Sequence, residues 1–293
     1  MSAISGLNGL EPTLDIIRYS KTIAIANKES IICAWNLLKS KLDFYKTKFI
    51  PIDSEHFSIW FALNQKTSLK VEKIYLTASG GPFLSYPKNK FKTITPKHAL
   101  KHPNWNMGNK ISIDSSTMMN KVFELIEAKK IFNIDFKKID ILVHRKSYIH
   151  AIIKFTNGMI KLIAHDTDMK IPIFNSIYLD KKTLKTSHLN IHKLNNLELR
   201  EVDYNKFPIN KILSIIPNKT SLFETVLVAA NDFLVDLFLN KKIKFNEIHE
   251  YLFDILNLNE FKIYKKTEPK ALMDILILSK KVRLKTIEII NKN

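Results

Sequence analysis

Two carboxylates separated by one serine, Asp53-Ser54-Glu55, follow an extended run, Lys48 to Ile52, and precede a helical one. Alternation at a strand end puts Asp53 and Glu55 on one side with Ser54 between them. Carboxylates that close repel each other unless a proton or a cation neutralises them, and oxygen donors favour a hard divalent ion such as Mg²⁺ or Mn²⁺. The same tripeptide would also serve as a helix cap with exposed acids.

A third acid lies in Asp114-Ser115-Ser116-Thr117-Met118-Met119-Asn120-Lys121-Val122-Phe123-Glu124. This stretch predicts a long helix over 115–132, capped by Asp114, Ser115 or Ser116. At about 100° per residue, Asn120, Lys121 and Glu124 share an arc of roughly 100°. Met118, Met119, Val122, Leu125 and Ile126 fall on the other side and dock on the core. An amide, an ammonium and a carboxylate then face one space, and the free N–H groups of a helix start attract an anion. A phosphate and a metal could sit side by side there. The alternative is an amphipathic helix whose Lys121–Glu124 pair lies on its solvated face.

Two loops could complete such a site. Ala78-Ser79-Gly80-Gly81-Pro82-Phe83 ends an apolar run with a hydroxyl and two glycines, which lets backbone approach a phosphate; it could equally be a tight turn. His102-Pro103-Asn104-Trp105-Asn106-Met107-Gly108 sets large apolar side chains on an irregular segment, as in a lid, with His102 available to an anion. The alternative is a loop anchored by a core tryptophan.

The elements that must position these residues are α/β. Residues 1–52 alternate helix (Leu10 to Tyr19, Glu29 to Leu42) with strand (Thr22 to Ala26, Lys48 to Ile52), which implies a parallel sheet. Residues 53–185 mix strands (Val71 to Ala78, Ile139 to Val143, Ala151 to Phe155, Met159 to Ile163) with helix, and Asn157-Gly158 predicts a hairpin turn. Residues 186–205 are polar and read as a linker; 206–293 are helical and read as a small bundle. The fold class expected is therefore α/β (α+β): a Rossmann-like parallel-sheet remnant, a mixed α/β catalytic domain and a C-terminal helical bundle.

The formal net charge of +18 is spread over most segments instead of gathered in a block. That argues for general basicity over a nucleic-acid patch. The one cysteine, Cys33, has no internal disulfide partner, and no apolar run reaches the roughly 18 residues of a membrane span. These features predict a cytoplasmic protein with no nucleic-acid or membrane partner.

Taken in order, Ala26-Asn27-Lys28-Glu29-Ser30, Pro51-Ile52-Asp53-Ser54-Glu55-His56, Ser79 to Phe83, His102 to Trp105 and Asp114 to Lys121 closely resemble blocks of the 1-deoxy-D-xylulose 5-phosphate reductoisomerase family. The resemblance spans nearly the whole chain, weakly beyond residue 180. It implies an enzyme that rearranges a ketose phosphate to an aldehyde and reduces this with NADPH to 2-C-methyl-D-erythritol 4-phosphate. By that resemblance Asp53, Glu55 and Glu124 hold Mn²⁺ or Mg²⁺. Ser79, His102, Ser115 and Asn120 hold the substrate phosphate. Ser54 and Lys121 meet its hydroxyl and carbonyl region, and Lys121, Glu55 and His150 form the catalytic group. Trp105 and Met107 belong to the lid. Asn27, Lys28 and Glu29, with Met107 and Gly108, lie by the cofactor. The family also implies a homodimer.

The resemblance departs at several points. No Gly-x-Gly-x-x-Gly opens a βαβ unit, so residues 1–52 are expected to be the last part of a nucleotide-binding domain, with exposed apolar surface. Arg145 and Lys146 stand where the family usually has Pro-Gln, Ala164 and Thr167 where it has Gly and Pro, and Asn231-Asp232 keeps part of a helix motif. A metal-dependent sugar-phosphate binder without redox activity is the competing expectation.

Overall fold

The computed structural model describes residues 1–64, 69–178 and 182–292. Helix α1 (Leu10–Ile16) leads through a single 3₁₀ turn to β1 (Thr22–Ile25). Helix α2 (Lys28–Tyr45) then carries the chain back to β2 (Lys48–Pro51), which pairs in parallel with β1, Thr22 opposite Lys48. Asn27 starts α2 by accepting the Ser30 N–H at 2.6 Å, and Lys46 ends it in the left-handed conformation (φ 56°). Ser2 covers part of the other edge of β1, its N–H donating to the Ala24 carbonyl at 2.8 Å and its carbonyl accepting from Ala26 at 2.9 Å. Ile23, Ile25 and Ile50 are buried, so the apolar surface expected on this segment sits at its rim, at Ile4, Tyr19 and Phe44.

From β2 the chain turns into α3 (Ser54–Leu63) and then β3 (Val71–Ala78), the centre of a second sheet. Short α4 (Pro96–Ala99), α5 (Asn109–Ser116) and α6 (Met119–Phe132) cross over to β4 (Ile139–His144), parallel to β3. Strands β5 (Ile149–Phe155) and β6 (Ile160–Ala164) form the expected hairpin; Gly158 has φ 86° in the turn, and Phe155 N–H donates to the Met159 carbonyl at 2.9 Å. The sheet order is β6-β5-β3-β4-β7, and only β3–β4 is parallel.

Two expectations change. Residues 186–205 contribute more than a linker. After α7 (Lys170–Tyr178) they form α8 (Ile191–Asn195) and β7 (Leu199–Glu201), which pairs with β4 as the edge strand. Three residues are too few to show a periodicity of two. The helix expected over 115–132 is two helices. α5 begins six residues earlier than expected, at Asn109, and Met118 breaks the run with φ 65°. Thr117, whose hydroxyl bonds back to the Ile113 and Asp114 carbonyls, ends α5 at the break.

The C-terminal part comprises α9 (Ile209–Ile215), α10 (Phe223–Leu239), α11 (Phe245–Asn257), α12 (Asn259–Lys262) and α13 (Leu272–Lys292). α10 is buried without a break from Phe223 to Asn231, because it packs on α11 and α13 and also on α2 and α5. One buried apolar cluster runs through all three parts, from Leu10 through Ile153 to Val282. The bundle thus backs the helices that carry the candidate site.

Candidate functional site

Two chain segments deliver the three acids. Asp53 is the residue before α3 but makes no side-chain cap bond, so its carboxylate is free to point inward. Glu55 lies in the first turn of α3, on a helix instead of a strand end, and Glu124 lies near the start of α6. Ligand oxygens of Asp53, Glu55 and Glu124 come within 4.8 Å of one another, and their side chains are only 13%, 13% and 2% exposed. This burial removes the alternative of exposed capping acids. It also removes the solvated Lys121–Glu124 pair: Lys121 is 7% exposed, with its Nζ 2.5 Å from Glu124 Oε2, 2.7 Å from Glu55 Oε1 and 2.6 Å from the Thr77 carbonyl. Lys28 joins from α2, paired with Asp53 and 3.5 Å from Glu124. Asn120 donates to Glu124 and Ser54 to Glu55.

Burial pushes the Glu55 carboxyl up, but the charge and hydrogen bond of Lys121, His150 and the Ser54 hydroxyl outweigh it and hold the group well below the usual carboxylate range. Burial pulls Lys121 down, and Glu124 and Glu55 more than restore it, so the ammonium persists. Three carboxylates facing two ammoniums leave one negative charge in excess. A divalent ion reverses that sign, and the loaded pocket then suits an anionic ester.

The pocket, about 210 Å³, is bounded by Ser79, His102, Trp105, Met107, Ser115 and His150 as well as the acids. Gly80 (φ 79°) and Gly81 (φ 62°) turn the chain out of β3 through two left-handed residues. His102 Nδ1 accepts backbone N–H groups from Asn104 and Trp105 at 3.2 and 3.0 Å, which leaves the ring proton on Nε2, 3.0 Å from Ser79 Oγ. Burial, with Lys121 nearby, pushes His102 down to about 4, so a neutral ring offers that proton at pH 7. Asn104 ties the loop to the Arg145 carbonyl and the Ser147 hydroxyl at 2.6 and 2.8 Å. Trp105 lies edge-on to His150, ring centroids 6.2 Å apart, and His150 stacks on His165 at 3.6 Å. Burial and then His165 push His150 down to about 3.

Other expected residues are placed differently. Asn27 does not line the pocket: its amide caps α2 and donates to the carbonyls of Ile4 and Gly6. Glu29 is also turned away, its carboxylate 2.5 Å from Lys110 Nζ, and Gly108 precedes α5, its carbonyl accepting from Ser112. Asp114 is no helix cap. It lies at the C-terminal end of α5, bonded to Asn231 at 2.7 Å and 3.1 Å from Lys110. Ser115 lines the pocket from that same C-terminal end, so no helix start stands behind it. Residues not anticipated are Thr77, whose carbonyl orients Lys121, and Ala26, Ile111, Ser147 and Met169 on the walls. Backbone carbonyls and apolar walls leave no residue-type signature.

Behind the pocket, Lys110 Nζ gathers Glu29, Asp114 and Asp232 (3.0 Å), joining α2, α5 and α10. Three acids share one cation, and burial pushes Asp232 up to about 7. The proton is held more tightly in the folded chain than in the unfolded one. Asp232 therefore contributes stability below the ordinary carboxylate range of about 4, and this is lost as pH rises to 7. The side chain is 25% exposed, so screening reduces the effect. The stability difference between wild type and Asp232→Asn, from urea midpoints, should fall by on the order of 1–2 kcal/mol over that window. A difference independent of pH would contradict the shared proton.

Residues 49–132 match the family model described as 1-deoxy-D-xylulose 5-phosphate reductoisomerase C-terminal domain, 165–285 match DXP reductoisomerase C-terminal domain, and 1–35 match 1-deoxy-D-xylulose 5-phosphate reductoisomerase. The chain is 58% identical to the 1-deoxy-D-xylulose 5-phosphate reductoisomerase of Pelagibacter ubique over 97% of its own length and 74% of the relative's. It is 40% identical to that of Persephonella marina, over 96% and 73%. A solved DOX-P reductoisomerase in complex with NADPH, fosmidomycin and magnesium superposes with a TM-score of 0.90 at 31% identity, over 99% of this chain and 75% of the other. The Zymomonas mobilis enzyme in complex with NADPH superposes with 0.85 at 34%, over 99% and 74%.

Proposed function

This chain belongs to the 1-deoxy-D-xylulose 5-phosphate reductoisomerase family, and from that premise we propose that its pocket carries out the family's conversion of 1-deoxy-D-xylulose 5-phosphate to 2-C-methyl-D-erythritol 4-phosphate, with NADPH and a divalent metal as cofactors. The observation that carries this reading is the meeting of Asp53, Glu55 and Glu124 within 4.8 Å, beside serine and histidine donors.

The donor set fits a hard ion: three buried carboxylates with excess negative charge. The metal, when bound, polarises and orients the substrate's oxygens. The rest falls to the chain's own side chains. Lys121, fixed by Glu55, Glu124 and the Thr77 carbonyl, presents its ammonium beside the acids, where the substrate's carbonyl and hydroxyl oxygens lie. Ser54, already bonded to Glu55, contacts the same region. Neutral His102 donates through Nε2, and with Ser79, Ser115 and Asn120 it holds the phosphate without adding charge. His150, stacked on His165 and met edge-on by Trp105, walls the reacting carbons from water. Trp105 and Met107 close the lid.

The fit to NADPH is partial. Lys28 lies at the pocket, but the 293 residues contain no Gly-x-Gly-x-x-Gly strand–turn–helix to hold a pyrophosphate. In domain terms, residues 1–52 serve the cofactor side, 53–185 the chemistry and 206–293 the packing behind it. The working form is a cytoplasmic homodimer. Among the described residues, no helix is long and apolar enough to cross a membrane.

Titrating the purified chain with NADPH, in the presence of Mn²⁺ and the ketose phosphate, tests the reading. Micromolar affinity with oxidation of NADPH is expected. Retained Mn²⁺ and substrate binding with no NADPH binding would overturn the redox assignment.

A further inference from the structure

His56 and Glu127 lie beneath the three-acid cluster and play no part in the chemistry above. His56 is fully buried on α3, and Glu127 is 2% exposed on α6, three residues beyond Glu124. His56 Nε2 is 2.9 Å from the Glu124 backbone carbonyl. A carbonyl only accepts, so Nε2 carries the ring proton and the Nδ1 lone pair points the other way. It points at Asp53 Oδ2, 3.5 Å away, and at Glu127 Oε2, 3.6 Å away. Neither is a hydrogen bond, and among the described residues His56 Nδ1 and Glu127 Oε2 have no hydrogen-bond partner.

Buried acceptors aimed at one point without a donor are costly to leave unpaired. Asp53 Oδ2 is already paired with Lys28, and burial pushes the Glu127 carboxyl up toward its neutral form. His56 Nδ1 and Glu127 Oε2, 3.6 Å apart, are nonetheless too far apart to share that proton in a hydrogen bond. A cation held between them and Asp53 satisfies both. Metal–ligand bonds of about 2.1 Å in a tetrahedral arrangement place ligand atoms about 3.4 Å apart, and the two measured edges are 3.5 and 3.6 Å. The ring is also oriented as metal-bound imidazoles are, its far nitrogen donating to a carbonyl. Phe132, parallel to the ring at 6.4 Å, supplies an apolar wall.

We propose that Asp53, His56 and Glu127 form a second, inner metal position that takes a transition ion such as Zn²⁺ or Co²⁺. One imidazole nitrogen with two carboxylates suits such ions, whereas Mg²⁺ prefers oxygen alone and keeps its waters. Asp53 has two oxygens and can serve both positions. The inner position stands on its own geometry and requires nothing of the reductoisomerase reading.

Metal content after chelator treatment and dialysis against Zn²⁺, and separately Mg²⁺, tests this. Wild type should hold one more equivalent of Zn²⁺ than Glu127→Gln or His56→Gln, and all three should hold the same Mg²⁺. The visible absorption of bound Co²⁺ should lose its nitrogen-ligated component in His56→Gln. Glu127→Gln keeps the side-chain volume, so it decides the matter even if His56→Gln fails to fold by circular dichroism. A folded Glu127→Gln chain holding as much Zn²⁺ as wild type would overturn the inner position. Glu55→Gln separates the two sites: it should lose the outer equivalent and keep the inner one, and its failure to lose any would count against the outer cluster instead.

Discussion

Replacing Lys121 by Met should destabilise the metal-free chain by about 3–5 kcal/mol, the usual cost of stranding a buried charge partner, and Mn²⁺ should restore much of the loss. Met keeps most of the lysine stem, so packing changes little. What disappears is the ammonium between Glu55 and Glu124, both almost wholly enclosed. Glu55, held below its ordinary range by that ammonium, contributes stability present above about pH 4.3, which is lost as pH falls through its folded value. Lys121, held above its ordinary value, contributes stability present below about pH 10.4, which is lost as pH rises through its folded value. Both contributions are in force at pH 7, and the variant loses both. A divalent ion on the same carboxylates replaces the missing charge. Saturation at about a hundred times Kd adds about 2.7 kcal/mol by mass action alone. Urea unfolding in EDTA and in Mn²⁺ measures both halves. Mn²⁺ should stabilise the variant more than the wild type; an equal gain in both would contradict the shared-charge account.

Gly81→Ala should damage the anion side of the pocket as severely. Gly81 has φ 62°, and a Cβ there would meet the Ser115 carbonyl oxygen at 2.7 Å, with the Ser115 carbonyl carbon and Ser116 Cα both at 3.2 Å. All three are backbone atoms at the end of α5, so no side-chain rotation relieves the clash. Left-handed strain of about 1–2 kcal/mol and overpacking of about 1–3 kcal/mol predict a combined loss of about 2–5 kcal/mol. The relief available is to part the Ser79 loop from Ser115, two walls of the pocket that the proposed function assigns to the phosphate. Misplacement by about 1 Å costs on the order of a hundredfold, so inorganic phosphate should bind far more weakly. Gly80→Ala is the control: at φ 79° it carries the same left-handed strain, but the nearest atoms its Cβ would meet belong to the movable Leu84 side chain, so it isolates the backbone clash. Thermal melting and phosphate titration of both variants check this; wild-type values for Gly81→Ala would refute the close approach.

Much of this arrangement was legible in the sequence because it rests on residue type. The strands at 22–25, 48–51 and 71–78 and the hairpin at Asn157-Gly158 follow from apolar runs and turn chemistry. Asp53 and Glu55 stood out as paired acids after an apolar run, and Lys121 and Glu124 as charges sharing one arc of a helix, with the family resemblance joining them into one site. What escaped was set by tertiary context. The break at Met118 has no glycine or proline to announce it, so Asp114 read as a cap when it is a buried strut to Asn231 and Lys110. Asn27 looked like a ligand-facing amide, and its partners, the carbonyls of Ile4 and Gly6, lie over twenty residues away. The edge strand 199–201 exists because β4 offers it hydrogen bonds.

The central claim is that two acids from the start of α3 and one from α6 share a single divalent cation beside an anion pocket. Electron paramagnetic resonance of free Mn²⁺, titrated against the purified chain, measures it directly. Wild type should remove one equivalent of the free-ion signal at the outer site. Glu124→Gln and Glu55→Gln, each lacking a direct ligand, should weaken that binding by at least the roughly 10–100-fold that changes to supporting residues cause. If both variants bound Mn²⁺ as tightly as wild type, the three carboxylates would not be a metal site, and the chemistry assigned to the pocket would fall with them.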